Sequence, residues 1–313
     1  MQIKLQQLLK TLLYLFIPTL ILCYPKESLF FAARGLTSWF DHMVPALFPF
    51  MILTTLMIRQ NMTDVFASFL SPVLGRLYRL PANGIYCIVS GFLCGFPIGA
   101  KTIAELYSQN KLSSKQAELL LGFCNNIGPV YFISFLLPAI GLTDKKMLPF
   151  FLFGMYGIPL LYGLILCRIS IRKEISYSET KLISMEKPVS FLDSLDIAIH
   201  SAINGITVLG GYMILFNTLN ILPLTCSKFS ILPDSFISFT SCLIEITGGI
   251  ITYGKSIPIF ILCILPLGGV CCILQTYSMI KHTNLSMKKY LIHKLAQTLL
   301  TTIYYLFLLP FLL

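Results

Sequence analysis

Long apolar runs alternate with short polar stretches along the whole chain. The runs fall near 8–24, 40–58, 84–107, 117–140, 147–167, 194–222, 256–280 and 290–313. A helical bilayer crossing needs about 20 apolar residues. The pattern therefore predicts eight membrane segments and no soluble domain, the longest polar stretch being the loop near 168–193. Two runs are interrupted. The run 84–107 breaks at Gly95, Pro97 and Gly99 and then carries one charge, Lys101, and the run 256–280 breaks at Pro266–Gly269. A helix that stops in mid-membrane leaves carbonyls and amides that lipid cannot satisfy, so such a break lines a polar cavity or is buried in protein. The halves of 84–107 are too short to cross separately and fit a re-entrant hairpin.

The smaller features follow from the same pattern. Lys4 and Lys10 precede the first run and no small-residue cleavage pattern follows it, so it reads as a retained span rather than a signal peptide. Lys26, Glu27 and Arg34 read as a polar connection, and Trp39 as an interfacial anchor at the start of the second segment. Asp41 and His42 stand at that segment's mouth, where pairing or interfacial exposure is the simplest role. Thr63–Arg79 is short and amphipathic, suited to the interface. Ser113 and Gln116 form a capping-box pattern that opens the next helix.

The second half repeats the first. FPFMILTTLM at 48–57 aligns with GGYMILFNTL at 210–219. A constant offset of 173 pairs Gly95 with Gly268, Leu112 with Leu285, Ser113 with Ser286 and Lys115 with Lys288. Chance periodicity in apolar sequence is the alternative. The expected architecture is an all-α polytopic membrane protein of two inverted repeats, about six full spans plus two hairpins. It is one integral membrane domain: an N-terminal span at 1–36, a first repeat at 37–167, a loop at 168–193 and a second repeat at 194–313. With both hairpins returning to their own side, the N-terminus and the loop share a side. The loop holds Arg168, Arg172, Lys173, Lys181 and Lys187 against Glu174, Glu179 and Glu186, which makes that side cytoplasmic. Lys281, Lys288, Lys289 and Lys294 then fall on the far side, against the rule.

Composition supports the class: 56% hydrophobic and 12% charged residues, with a mean hydropathy of +0.81. A soluble domain carries about 25% charged residues. The net charge of +10 does not point to nucleic acid, because the basic residues sit in short loops and at segment ends. The ten cysteines lie mostly in or beside apolar runs, without a C-x-x-C, and read as small apolar filler. No nucleophile, phosphate-loop or metal motif is present, so no enzyme, cofactor or metal is expected. Gly91–Gly95 forms G-x-x-x-G, which alone means close packing.

Lys101 is the leading candidate for chemistry. A charge deep in a bilayer faces a cavity or a partner. Contact with an anion, a pair with Glu105 at i+4, and snorkelling to the interface stay open. Thr102 stands beside it at the start of the returning half-helix, where free amides favour an anion. Asn125 and Asn126, followed by Gly128 and Pro129, are amides inside an apolar helix, suited to helix–helix glue or substrate contact. Glu245 and Thr247 in EITGG, and Gln275 just after the break that includes Gly268 and Gly269, are the polar groups of the second half. Glu245 fits either a coupling proton or a buried partner for a lysine. His200 and Asn204 are weaker candidates.

WFDHMVPALFPFMI, SGFLCGFPIGAKT, the following L-S-x-K-Q-A-E, CNNIGP, EITGG and the Gly-rich break near 268 resemble the sporulation integral membrane protein YlbJ family, over about Trp39 to Gln297. GFPIGAK is the most specific of these motifs. After GFC the chain departs from the family pattern, with NNIGP in place of T/S-N-S/A-x-P, which weakens the carry-over at Asn125 more than at Asn126 and Pro129. The resemblance implies a gate, or nucleoside-recognition, type of membrane domain and a role in endospore formation. It implies transport of dipicolinic acid across the outer forespore membrane, with the protein in the cell membrane or that membrane of a spore-forming bacterium. The hairpin tip, from Gly95 and Pro97 through Gly99 to Lys101 and Thr102, is then the expected dianion contact. A transporter of a nucleoside or other small polar solute, and a non-transporting sporulation scaffold, remain alternatives. The expected partners are the solute and the bilayer, not nucleic acid; oligomeric state stays open.

Overall fold

A computed structural model describes residues 2–171, 190–228 and 233–312. Arg172, Lys173, Lys181 and Lys187, with the loop's three glutamates, lie outside the described residues, so the charge balance of that loop is not part of the structure. Among the described residues every regular element is helical. The chain opens with α1 (Gln2–Cys23) and α2 (Pro25–Ser38), and α2 runs through a wide turn at Trp39–Met43 into α3 (Val44–Arg59). The stretch at Lys26–Arg34, expected as a connection, is thus the start of a long helix. Pro25 sits in its first turn, where a missing N–H costs nothing. Next come α4 (Thr63–Ser68) and α5 (Arg76–Tyr78), the short amphipathic passage foreseen, with Val65, Phe69 and Val73 exposed.

The first half closes with α6 (Ala82–Cys94) and α7 (Ile98–Ser108), then α8 (Ser114–Cys124), α9 (Pro129–Tyr131), α10 (Leu137–Ala139), α11 (Leu148–Leu152) and α12 (Ile158–Ser170). The expected capping box opens α8: Gln116 N–H donates to Ser113 Oγ at 3.3 Å and Ser113 N–H to Gln116 Oε1 at 2.9 Å. The second half comprises α13 (Phe191–Thr218), α14 (Ile221–Lys228), α15 (Asp234–Ile244), α16 (Ile246–Tyr253), α17 (Pro258–Ile264), α18 (Gly269–Ile280) and α19 (Met287–Leu312). Among the described residues, five stretches are long and apolar enough to cross a membrane: Pro25–Arg59, Ser114–Ala139, Leu148–Ser170, Phe191–Cys226 and Pro258–Ile280. Two shorter apolar helices, Ala82–Cys94 and Ser235–Ile244, supply the first arms of the hairpins.

The first hairpin lies where the sequence placed it. α6 and α7 fold back on each other so closely that a Cβ on Gly99 would sit 3.1 Å from Gly91 Cα. The second does not. It is α15–α16, turning at Glu245, where a Cβ on Gly249 would lie 2.6 Å from Cys242 Cα. The run 256–280 is a broken span instead: α17 packs on α19, while α18 packs on α7, α13 and α15. The offset of 173 therefore pairs a hairpin with a crossing helix. In the structure the hairpin α6–α7 corresponds in order to α15–α16, and the interrupted span α8–α10 to α17–α18. The apolar motif was misleading because a Gly-rich break in either element leaves the same sequence trace.

α19 shows how the chain meets lipid. Tyr290, Lys294, Gln297, Thr301 and Tyr305 face inward, buried, while Ile292, Leu295, Leu299, Ile303 and Leu306 face outward, exposed. That is polar inside and apolar outside, the reverse of a soluble helix. Trp39 is a helix–helix contact rather than an interfacial anchor: its indole donates to Ile206 O at 2.8 Å and lies against Gly210 on α13.

Candidate functional site

Four interruptions meet at the centre of the molecule: Gly95–Pro97 between α6 and α7, Asn125–Gly128 between α8 and α9, Glu245 between α15 and α16, and Leu265–Gly268 between α17 and α18. They touch in pairs. Gly95 has φ +84°, and a Cβ there would lie 2.3 Å from Gly128 N, so only glycine fits. Gly269 has φ +79°, and a Cβ there would lie 2.8 Å from the Leu243 carbonyl oxygen. Each hairpin tip thus packs on the interrupted span of its own half. The two halves join where a Gly268 Cβ would be 3.3 Å from Phe96 Cε2.

Side chains and backbone satisfy the helix ends these breaks create. Phe96 N–H donates to Asn126 O at 2.6 Å. Asn125 Oδ1 accepts from Ala100 N–H at 3.3 Å in the first turn of α7, while its amide nitrogen donates to Thr276 Oγ1 at 2.8 Å and Tyr290 OH at 3.3 Å. Asn126 Nδ2 donates to Phe123 O at 2.7 Å, closing the end of α8. Glu245 caps α16: Oε1 accepts from Thr247 N–H at 3.0 Å, and Oε2 from Gly248 N–H at 2.6 Å and Asn217 Nδ2 at 2.8 Å. An N-cap carboxylate meets the free amides and positive end of the helix together.

A cavity of about 670 Å³, its open mouth included, lies among these breaks. Its wall is largely apolar, with Phe50, Phe96 and Tyr131 as aromatic faces and Glu245, Thr247 and Gln275 as polar groups. Tyr131 OH donates to Thr247 Oγ1 at 3.1 Å, fixing two of these groups together. Of the residues singled out from sequence, Glu245, Thr247 and Gln275 therefore come together in one wall. Gly95, Asn126 and Pro129 lie in or next to the breaks whose neighbours Cys94, Phe96, Ile127, Gly128 and Val130 line it, whereas Gly268 and Gly269 belong to a break that contributes no lining residue. Asn125 and Asn126 have their amides engaged within the protein, as the glue reading expects. His200 and Asn204 are exposed on α13, away from the cavity, and His200 pairs with Asp196 at 3.7 Å.

Lys101 is not in that wall. Its Nζ donates to Thr55 Oγ1 at 2.8 Å and lies 3.4 Å from Glu105 Oε1, so its charge is compensated on its own helix. Thr102 beside it is 1% exposed, and its Oγ1 has no partner. The structure instead brings a second lysine to the site. Lys294 on α19 is fully buried, donates to Asn126 Oδ1 at 2.9 Å and Gln297 Oε1 at 3.5 Å, and sits 5.3 Å from the centre of the Phe96 ring. Sequence reading had placed it at a segment end. The signal was the polar face Tyr290, Lys294, Gln297, Thr301, spaced one helical turn apart in an apolar helix.

A helical integral membrane protein with a largely apolar cavity, holding a few polar groups, at converging helix breaks is the class these features define. Residues 41–143 match the family described as Gate: nucleoside recognition, covering the first hairpin and the interrupted span that follows. The chain is also similar to the sporulation integral membrane protein YlbJ of Bacillus subtilis (strain 168), 25% identical over 233 residues, which is 69% of this chain and 57% of that protein. It thus spans a little over half the length of the relative it matches. The resemblance read from the motifs is shown at this level, and it is to a membrane protein of sporulation rather than to an enzyme. No solved structure matches the chain.

Proposed function

We propose that this protein transports a small anionic metabolite across a membrane, by exposing the central cavity alternately to either side. The observation that carries this is the meeting of three helix interruptions, at Phe96, Ile127–Gly128 and Glu245, in one cavity wall, with α18 from beyond the fourth completing it through Cys272 and Gln275. Broken helices and hairpin tips place helix ends and polar groups at membrane depth, which transporters use to bind solute and which a purely structural bundle does not need. With α19 counted as a sixth crossing beside the five apolar stretches, each half crosses three times, by α2–α3, α8–α10 and α11–α12 and then by α13, α17–α18 and α19, and on that count the halves are inverted. Dipicolinate, a small aromatic dianion, is the cargo implied by the resemblance, with the outer forespore membrane as its place of work. The aromatic, mostly apolar wall suits a flat ring.

A second reading is a neutral polar solute such as a nucleoside. It is favoured by Glu245 and Gln275 in the wall and by the compensation of Lys101 by Glu105. Uptake into proteoliposomes separates the readings. Labelled dipicolinate should enter, competed by unlabelled dipicolinate and not by uridine. Uptake of uridine alone establishes the second reading, and flux of neither solute leaves a membrane scaffold.

A further inference from the structure

We propose that Lys294 is the cation that recognises a carboxylate-bearing solute in the central cavity, held behind Phe96 until the solute enters. The inference rests on the transport reading. Lys294 is 0% exposed, and among the described residues no carboxylate pairs with it. The acids elsewhere are committed: Glu105 to Lys101, Glu118 to Lys289 at 2.6 Å, and Glu245 to the start of α16. A buried ammonium without a counter-charge is costly, and an arriving anion removes that cost.

The surroundings are built to hold an ammonium in place. Gln297 Nε2 donates to Gly122 O and Asn126 Nδ2 to Phe123 O, so both amides are fixed by carbonyls of α8. Their oxygens are thereby turned to Lys294 Nζ. An ammonium has three N–H donors, and these two acceptors leave one uncommitted. The cavity is one layer away. Asn126 holds the lysine while Ile127 and Gly128, next along the chain, line the cavity, as does the Phe96 ring that covers Nζ. Phe96 belongs to the link between α6 and α7 rather than to a helix, so its ring can turn without breaking a helical hydrogen-bond ladder. Once it turns, a carboxylate receives a desolvated, charge-assisted hydrogen bond.

The test compares pyridine-2,6-dicarboxylate with its neutral diamide in reconstituted full-length protein. Lys294→Gln should lower dicarboxylate uptake relative to diamide uptake by roughly ten- to hundredfold, the worth of one hydrogen bond to a charged group. Lys294→Arg should keep part of the preference, since charge remains and shape changes. An unchanged ratio in Lys294→Gln overturns the proposal and leaves transport standing. Binding separates the two claims. If dicarboxylate raises the melting temperature of detergent-purified wild type but not of Lys294→Gln, and no uptake occurs, the site stands and the transport reading fails. If wild type neither binds nor transports the dicarboxylate, the proposal falls with it. Should the Lys294 variants fail to fold, Phe96→Leu decides: a smaller side chain over Nζ should raise the dicarboxylate-to-diamide ratio, and no change overturns the proposal.

Discussion

The two buried lysines among the described residues, one in each half, solve the same electrostatic problem differently. Lys101 and Glu105 form an ion pair on one helix, joined by the Thr55 hydroxyl at 2.8 Å from the ammonium. Lys294 has only amide oxygens and two aromatic rings, Phe96 and Tyr290, around it. The first arrangement is closed: its charges cancel, and it stands outside the cavity wall. The second has no counter-charge and lies one layer behind the cavity wall, held by neutral groups that orient it. The difference teaches that burial of a cation at membrane depth does not by itself mark a binding group. What marks one is the absence of a permanent counter-charge next to a space that a solute can enter.

The largest expected effect that would break this comparison is on folding. Lys101→Met strands Glu105 and should cost about 3–5 kcal/mol. The double change with Glu105→Gln should recover most of it and keep solute uptake, read by thermal unfolding in detergent and by liposome flux. If the double variant folds yet loses uptake, Lys101 belongs to the site after all. The next effect concerns its hydroxyl partner: Thr55→Val removes a hydrogen bond to a charged group and should lower stability by about 1.5–3 kcal/mol without altering solute preference. Asn126→Leu attacks the other lysine. It removes the 2.9 Å acceptor and uncaps the α8 carbonyl, so about 1–3 kcal/mol of stability should go. Here solute preference should shift too, because Lys294 loses its orientation; a stability loss with unchanged preference would reduce Asn126 to packing. The smallest effect is a control on the exposed pair. Lys289→Ala removes its bond to Glu118 at 2.6 Å, and melting should move by the equivalent of about 0–1 kcal/mol.

The first hairpin was legible because its cause is local. Gly95, Pro97 and Gly99 interrupt one apolar run within five residues, and halves of 13 and 11 residues fall short of the about 20 that a crossing needs. The second hairpin was hidden because its turn is made by Glu245, an ordinary helix-capping residue, in a stretch whose glycines follow the turn instead of making it. The break at Gly268 looked like the counterpart of Gly95, yet whether a broken helix folds back or runs on depends on what each half packs against. That is decided by α7, α13, α15 and α19, which lie far from it in sequence.

Apolar run length and scarcity of charge determined, without any fold, that this chain lives in a bilayer as a set of helices, since lipid admits little else. The local spacing of prolines and glycines determined where helices stop, and the Ser113–Gln116 pair determined where one begins. The tertiary structure decided which stops face one another. It also decided which lysine is left without a counter-charge: Glu105 lies four residues from Lys101 and could be read from the chain, whereas Lys294 meets Asn126 across 168 residues. Charge compensation within a helix is a property of sequence spacing, and charge exposure to a cavity is a property of packing between distant helices.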